Sequence, residues 1–270
     1  MNSSNLVEKS ALAMPTLTVG VLTMNEEQRI ASCVRSAAFA DEVVVVDSGS
    51  TDRTIELAQN MGAKVYVHAD WQGFAVQRNR LLAHSSGDYI FFLDADEEIT
   101  AELQAQLREA VASGQNAVWR IQWSIVAFGK ELKYFLSRTS VERLFRRDAL
   151  TAFEGVVHEQ ALLHGGPLPR HTFRAKLRHY SRESVRGSLE KLTQYAMLGA
   201  AKRADAGKRG GILRGMASSC FMFVRLYVFR LGFLDGGAGF LFCYFVALEC
   251  FFRYAALYYD RDTLTSTVKR

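Results

Sequence analysis

The sequence predicts an α/β fold: a mainly parallel, Rossmann-like mixed sheet with helices on both faces, followed by amphipathic, aromatic-rich helices. Three observations carry this. From residue 16 to residue 93 short apolar runs alternate with amphipathic stretches of about a dozen residues, the pattern of parallel strands joined by right-handed crossovers. The run Tyr89-Ile90-Phe91-Phe92-Leu93 is apolar throughout, as a strand buried on both faces must be, and Asp94, Asp96, Glu97 and Glu98 follow it directly. Beyond Leu189 the chain changes character, becoming basic and rich in aromatic residues.

In chain order, residues 1–14 form a polar tail with no apolar core of the kind a signal peptide needs, so export is not expected. Thr16–Thr23 is the first strand, and a helix from about Glu26 to Ala38 presents Ile30, Val34 and Ala37 on one face. Glu42–Val46 is β-branched and too short for a helix, hence a central strand. The turn Asp47-Ser48-Gly49-Ser50-Thr51-Asp52-Arg53-Thr54 leads to a helix closed by Gly62. Lys64–His68 is a third strand, Gly73–His84 an amphipathic helix, and the strand that ends in the acids is the fourth. Trp119–Val126 and Val141–Arg147 read as further strands, mixed in direction. Lys191–Arg209 reads as a basic helix, Gly207–Gly211 as a break, and Ile212–Leu234 and Ala238–Tyr259 as two aromatic segments.

The acids after Leu93 admit two readings. Glu97 and Glu98 suit a helix start, where the dipole favours them. Two aspartates one residue apart at the carboxyl end of a buried strand suit a hard divalent cation, Mg²⁺ or Mn²⁺, bridging to substrate phosphates where such sheets bind ligands. The Asp47–Thr54 turn is equally open: its small polar residues build a turn and an N-cap, or let a nucleotide lie against the strand ends. No GxGxxG follows the first strand and no GxxxxGK[ST] occurs, which removes support for ordinary dinucleotide binding and for a P-loop.

Four cysteines without CxxC or paired spacing argue against a zinc site or a disulfide framework. The net charge of +5 divides unevenly: residues 1–165 hold 15 Lys/Arg against 21 Asp/Glu, or −6, and residues 166–270 hold 18 against 7, or +11. A basic, aromatic half points to an anionic surface, nucleic acid or membrane. The aromatic segments carry Arg214, Arg225, Arg230, Glu249 and Arg253, and the longest uncharged run, Gly236–Leu248, has 13 residues. That is short of the roughly 20 that a spanning helix needs, which favours a helix pair lying in the membrane interface.

Val19…Asn25-Glu26, then Asp47-Ser48-Gly49-Ser50-Thr51-Asp52, then Leu93-Asp94-Ala95-Asp96-Glu97, each at a strand end and in this order, resemble the GT-A glycosyltransferases of family 2. The resemblance covers residues 15–185, leaving 186–270 as a membrane-associating region. It implies a GT-A fold and a UDP-sugar donor, with Asp52 at the uracil, Asp47 at the nucleoside, and Asn25, Glu26, Ser48 and Asp94 lining the nucleotide-sugar site. Asp94 and Asp96 would form the DxD motif for Mg²⁺ or Mn²⁺, Asp96 ligating directly and His179 completing the shell. Glu159 would be the general base, ahead of Glu154. His158 (a competitor for the metal), Glu97 and Arg78 are secondary candidates. The runs Arg143–Arg147 and Gly155–Glu159 and the aromatic tail resemble lipopolysaccharide core transferases that add glucose to inner-core heptose. This implies a lipid-anchored oligosaccharide acceptor, an anionic membrane surface, no nucleic-acid partner, and a peripheral place on the cytoplasmic face of the inner membrane. The rivals are a polyprenyl-phosphate sugar transferase, a nucleotidyltransferase and a non-catalytic membrane- or nucleic-acid-binding module.

Overall fold

The computed structural model describes residues 14–137, 139–155 and 159–264. Four parallel strands, β1 (Leu17–Thr23), β2 (Glu42–Asp47), β3 (Lys64–Val67) and β4 (Tyr89–Asp94), lie in the order β3-β2-β1-β4. Every residue of β1 is buried because β1 is flanked on both edges and covered on both faces, whereas the edge strand β3 is half-exposed. The chain winds outward from β1 to β3 and returns to the other side of β1 at β4. That reversal opens a crevice at the carboxyl ends of β1 and β4, where α/β sheets bind their ligands.

Past β4 the sheet becomes mixed, as the sequence predicts. The strand β5 (Glu97–Glu98) follows the acids, and α1 (Ile30–Ala37), α2 (Thr54–Asn60), α3 (Phe74–His84) and α4 (Ala101–Ala112) are the connecting helices. After α4 come β6 (Val118–Ala127), the short β7 (Lys130–Glu131) and β8 (Ser140–Arg146). β8 lies antiparallel to both β4 and β6, with Phe91 opposite Leu144 and Trp119 opposite Leu144. A two-stranded ribbon, β9 (Leu150–Glu154) with β10 (Gln160–Leu163), stands apart from the main sheet. The 13-residue β11 (Arg170–Arg182) runs parallel to β6, and its far end pairs with β5, placing His179 opposite Glu97.

Successive residues of β4 face opposite sides, and the core divides accordingly. Phe91 and Leu93 pack with Val19, Val21 and the inner faces of α1, α2 and α4; Ile90 and Phe92 pack with Val44, Phe145, Phe153 and Leu81 of α3. Helices therefore cover both faces. The first helix starts at Ile30 rather than Glu26, because Asn25 takes a left-handed conformation (φ 55°) and residues 26–29 form a turn whose Glu26 and Glu27 amides donate to Thr54 and Asp52 of the neighbouring loop.

The C-terminal helices are α5 (Val185–Asp205), α6 (Ile212–Tyr227) and α7 (Gly236–Tyr259). α5 starts six residues before Lys191, capped by the Ser184 hydroxyl, which accepts from the Gly187 amide at 3.0 Å. Before α6 the backbone passes so close to α7 that a β-carbon on Gly210 would lie 2.5 Å from the Tyr254 carbonyl oxygen, so only glycine fits. α7 packs Phe242 and Cys243 against Ile125, Ala127 and Phe135, and its Glu249 pairs with Arg182 at the end of β11. With its preceding turn it forms one continuous stretch, Gly232–Tyr259, long and apolar enough by length and composition to cross a membrane. The uncharged run therefore understates the helix, because Glu249 and Arg253 are carried inside it.

Candidate active site

The site grows from the loops after β1, β2 and β4. Asn25 stitches the first two together: its side-chain oxygen accepts from the Thr51 amide at 2.8 Å, and its own amide donates to the Ser50 hydroxyl at 2.8 Å. Asp47 is fully buried, and its carboxylate accepts from the Gly49 and Ser50 amides, each at 2.8 Å, and from the Ser50 hydroxyl. This is the Asx-type geometry that shapes a turn from within. Ser48, buried beside it, accepts from Gln77 at 2.8 Å. Asp52 accepts from the Thr54 amide and hydroxyl at 3.0 and 2.5 Å and from the Glu27 amide at 3.2 Å, and these bonds, working against burial, hold its carboxyl below the ordinary aspartate range. The same residues that resemble a nucleotide site thus also build the loop that would present one.

Glu26 sits on this rim, where burial and then the nearby Asp96 push its carboxyl up to about 7 while Lys191 and Arg29 pull the other way. A carboxyl whose pKa rises on folding costs stability once pH passes its unfolded value, and the cost grows until the folded value is reached. The metal-free protein should therefore lose about 1 kcal/mol relative to Glu26→Gln between about pH 5 and pH 8, after allowance for solvent screening. Thermal melts of both proteins across this range read the difference; parallel curves would contradict it.

At the end of β4 the acids separate into two groups. Asp94 faces two arginines: Arg143 Nη2 lies 2.7 Å from Oδ2 and Arg78 Nη2 3.8 Å from Oδ1. Burial works against its charge, but Arg143 and then Arg78 hold its carboxyl well below the usual range. Glu97, which unlike Asp94 is fully buried, accepts from Arg143 at 2.8 Å, from the Trp123 indole at 2.6 Å and from the Asp94 amide at 2.9 Å, and burial pushes its carboxyl up to about 7 against Arg143. Arg143 also donates to the Phe92 carbonyl at 3.3 Å. Glu97 is thus part of the scaffold under Asp94.

Asp96 points the other way. Its Oδ2 lies 3.3 Å from His179 Nε2 and 3.8 Å from Lys191 Nζ of α5. Burial opposes a proton on His179, but its hydrogen bond to Asp96 and the surrounding acids raise its pKa. Its Nδ1 is buried without a hydrogen-bond partner among the described residues. No group of three or more His, Cys, Asp or Glu side chains arranged for a metal occurs among the described residues. One carboxylate oxygen and one imidazole nitrogen facing each other nevertheless fit a Mg²⁺ or Mn²⁺ ion that takes its other ligands from phosphate and water. Asp94 fits such an ion less well, because its oxygens are engaged by arginines.

Arg78 joins this centre to the opposite wall. Its Nε donates to Glu159 Oε1 at 2.9 Å while its Nη2 faces Asp94. Glu159 Oε2 has no partner among the described residues, and Asp94, Arg78, Trp123 and Glu159 line one cleft of about 730 Å³. His158 lies outside the described residues. Arg143 and Lys191 are the site residues that sequence reasoning missed as individuals. The first was legible only as part of a basic run, the second only as a charge on a basic helix.

The chain belongs to glycosyl transferase family 2, whose sequence profile matches residues 18–159. It is a catalytic glycosyltransferase with a GT-A-type fold followed by C-terminal helices. It is similar to an uncharacterized glycosyltransferase of Rickettsia typhi, 27% identical with 90% of this chain and 87% of that protein covered. It is likewise similar to the lipopolysaccharide core biosynthesis glycosyltransferase LpsC of Rhizobium meliloti, 26% identical over 88% of this chain and 93% of that protein. Among solved structures, glucosyl-3-phosphoglycerate synthase from Mycobacterium tuberculosis aligns with a TM-score of 0.39 at 24% identity, covering 50% of this chain and 58% of that one.

Proposed function

We propose that the protein transfers a hexose, glucose by the sequence resemblance, from a UDP-sugar to an inner-core heptose of lipopolysaccharide, with inversion to a β-linkage. The observation that carries this reading is the Arg78 bridge, which sets Glu159 and Asp94 in one cleft, with Asp96 and its partner His179 two residues further along the acidic segment and facing away from Asp94's arginines. Glu159, held through one oxygen, offers the other to the acceptor hydroxyl. As the acceptor's hydroxyl oxygen attacks the anomeric carbon, its proton passes to Glu159, and the bond to the donor phosphate breaks with its electrons leaving on UDP. A divalent cation held by Asp96 and His179 would neutralise the charge gathering on that phosphate. Lys191, 3.8 Å from Asp96, and Arg78, 3.8 Å from Asp94, add fixed positive charge to the site. Asp52 and Asp47 order the loop that would receive the uracil and ribose.

Calorimetry tests the metal assignment. Asp96→Ala should bind UDP about equally with and without Mn²⁺, whereas wild type should bind it at least about tenfold more tightly with Mn²⁺. Wild-type affinity that ignores the metal would remove the cation from the mechanism.

The membrane reading rests on the tail. Leu213, Phe221, Val224, Val228 and Phe229 are exposed, with Lys208, Arg209, Arg214 and Arg225 nearby in sequence. α7 could span by length, yet nearly half of its apolar window is buried against the protein and its Glu249 is paired with Arg182 of the catalytic sheet. Crossing the bilayer would break that pair or drag the sheet with it. We therefore place α6 and α7 in the interface on the cytoplasmic face of the inner membrane. Full-length protein should float with anionic vesicles at low salt and resist carbonate less than a spanning protein. Failure to float at any salt would make the tail a packing element only.

A further inference from the structure

The cleft that holds Asp94 and Glu159 continues across β8 and β6 to a second charged group, which the mechanism does not use. Arg120 of β6 donates to Glu142 Oε1 of β8 through Nη2 at 2.9 Å and Nε at 3.3 Å, and Arg170, the first residue of β11, donates to the same oxygen through Nε at 2.8 Å. All three residues line the cleft, and both arginines are about two-fifths exposed. Two guanidiniums thus converge on one carboxylate oxygen, leaving an excess of one positive charge. Arg170 Nη1 reaches the Leu168 carbonyl at 3.3 Å, but Arg120 Nη1 and Arg170 Nη2 have no partner among the described residues.

Holding the strands together does not require this arrangement. β6 is already laddered to β8 and to β11 by its backbone, with Arg120 opposite Glu142 and Arg170 opposite Val118. Half-exposed ion pairs add little to such a ladder. Two planar forks that share one carboxylate oxygen and line one cleft are, however, suited to recognising the oxygens of a phosphate or carboxylate. Glu159, Arg120, Glu142 and Arg170 line the same cleft, so a sugar whose hydroxyl meets Glu159 can face this wall with a substituent or with its neighbour.

We infer that Arg120 and Arg170, held by Glu142, form an anion subsite that reads a phosphate or carboxylate carried by the acceptor sugar. This rests on the glycosyltransferase reading and deepens it, since it gives the acceptor a charge. The test uses full-length protein loaded with UDP and Mn²⁺ and titrated with mannose 6-phosphate, glucuronate or mannose. Mannose 6-phosphate or glucuronate should bind measurably more tightly than mannose, and whichever binds better identifies a phosphate or a carboxylate as the group read. Arg120→Gln and Arg170→Gln should each weaken that binding about three- to tenfold, while melting temperature and UDP affinity stay at wild-type values. Equal binding of all three sugars, or anion binding unchanged in both variants, overturns the subsite. A drop in melting temperature with no selective loss of the anionic sugar would make the group a structural clasp. UDP titration of the same samples reports separately on the donor site, so a failure there is a failure of the underlying reading and not of this one.

Discussion

Replacing Arg143 by methionine should destabilise the protein by roughly 3–5 kcal/mol at neutral pH, the effect expected when one partner of a buried ion pair is removed. Arg143 is almost fully buried and is the cation closest to two carboxylates, at 2.7 Å from Asp94 and 2.8 Å from Glu97. Its loss leaves Glu97, which is buried, with only the Trp123 indole and a backbone amide as donors among the described residues. The sign of the pH dependence follows. In wild type the depressed Asp94 contributes stability above the ordinary aspartate pKa that fades as pH falls. In Arg143→Met both carboxyls move up, so the variant pays most at high pH and recovers toward wild type as the acids are protonated. Urea unfolding at about pH 8 and about pH 5 should show the gap narrowing, and adding Glu97→Gln to the variant should restore part of the loss. A pH-independent loss below about 1 kcal/mol would mean that the cluster is solvated.

Glu159→Gln is expected to lower kcat by about 10²–10⁴-fold with UDP affinity near wild type, because the amide keeps the shape and the contact to Arg78 but cannot take a proton. The bond from Arg78 Nε to Glu159 Oε1 can still be accepted by the glutamine oxygen, without its charge assistance, so the side chain keeps its place while the proton acceptor is removed. Steady-state kinetics beside UDP calorimetry separates the outcomes. Equal damage to binding and turnover would make Glu159 a structural residue. Near-wild-type turnover would favour an acceptor that is already an anion, as in a polyprenyl-phosphate transferase, since a phosphate needs no base.

The catalytic half was legible where burial and turn chemistry speak through single residues. β2 and β4 hold unbroken apolar runs (Val43–Val46 and Tyr89–Leu93), β1 is broken only by Thr18, Gly20 and Thr23, Gly62 closes α2 with positive φ, and Asp94 and Asp96 fall at a strand end as expected. The division of labour between those two aspartates was not legible. It depends on Arg143, which faces inward from β8 only because the strand's alternation puts Phe145 and Arg143 on one side and Leu144 on the other. The strand β11 was missed because seven basic side chains hide its apolar positions, Phe173, Ala175 and Leu177, although these recur at the two-residue period of a strand. The reach of α5 into the site was equally hidden, since nothing in the sequence says that Lys191 folds back to within 3.8 Å of Asp96.

UDP release measures the central claim most directly: full-length protein with Mn²⁺ or Mg²⁺, UDP-glucose beside UDP-galactose and UDP-N-acetylglucosamine, with and without extracted core lipid that exposes unsubstituted heptose. Release from one of these donors should depend on the lipid, stop with chelator, and leave a β-linked hexose on heptose. Pyrophosphate in place of UDP, or UDP release indifferent to the lipid and to the metal, would contradict it.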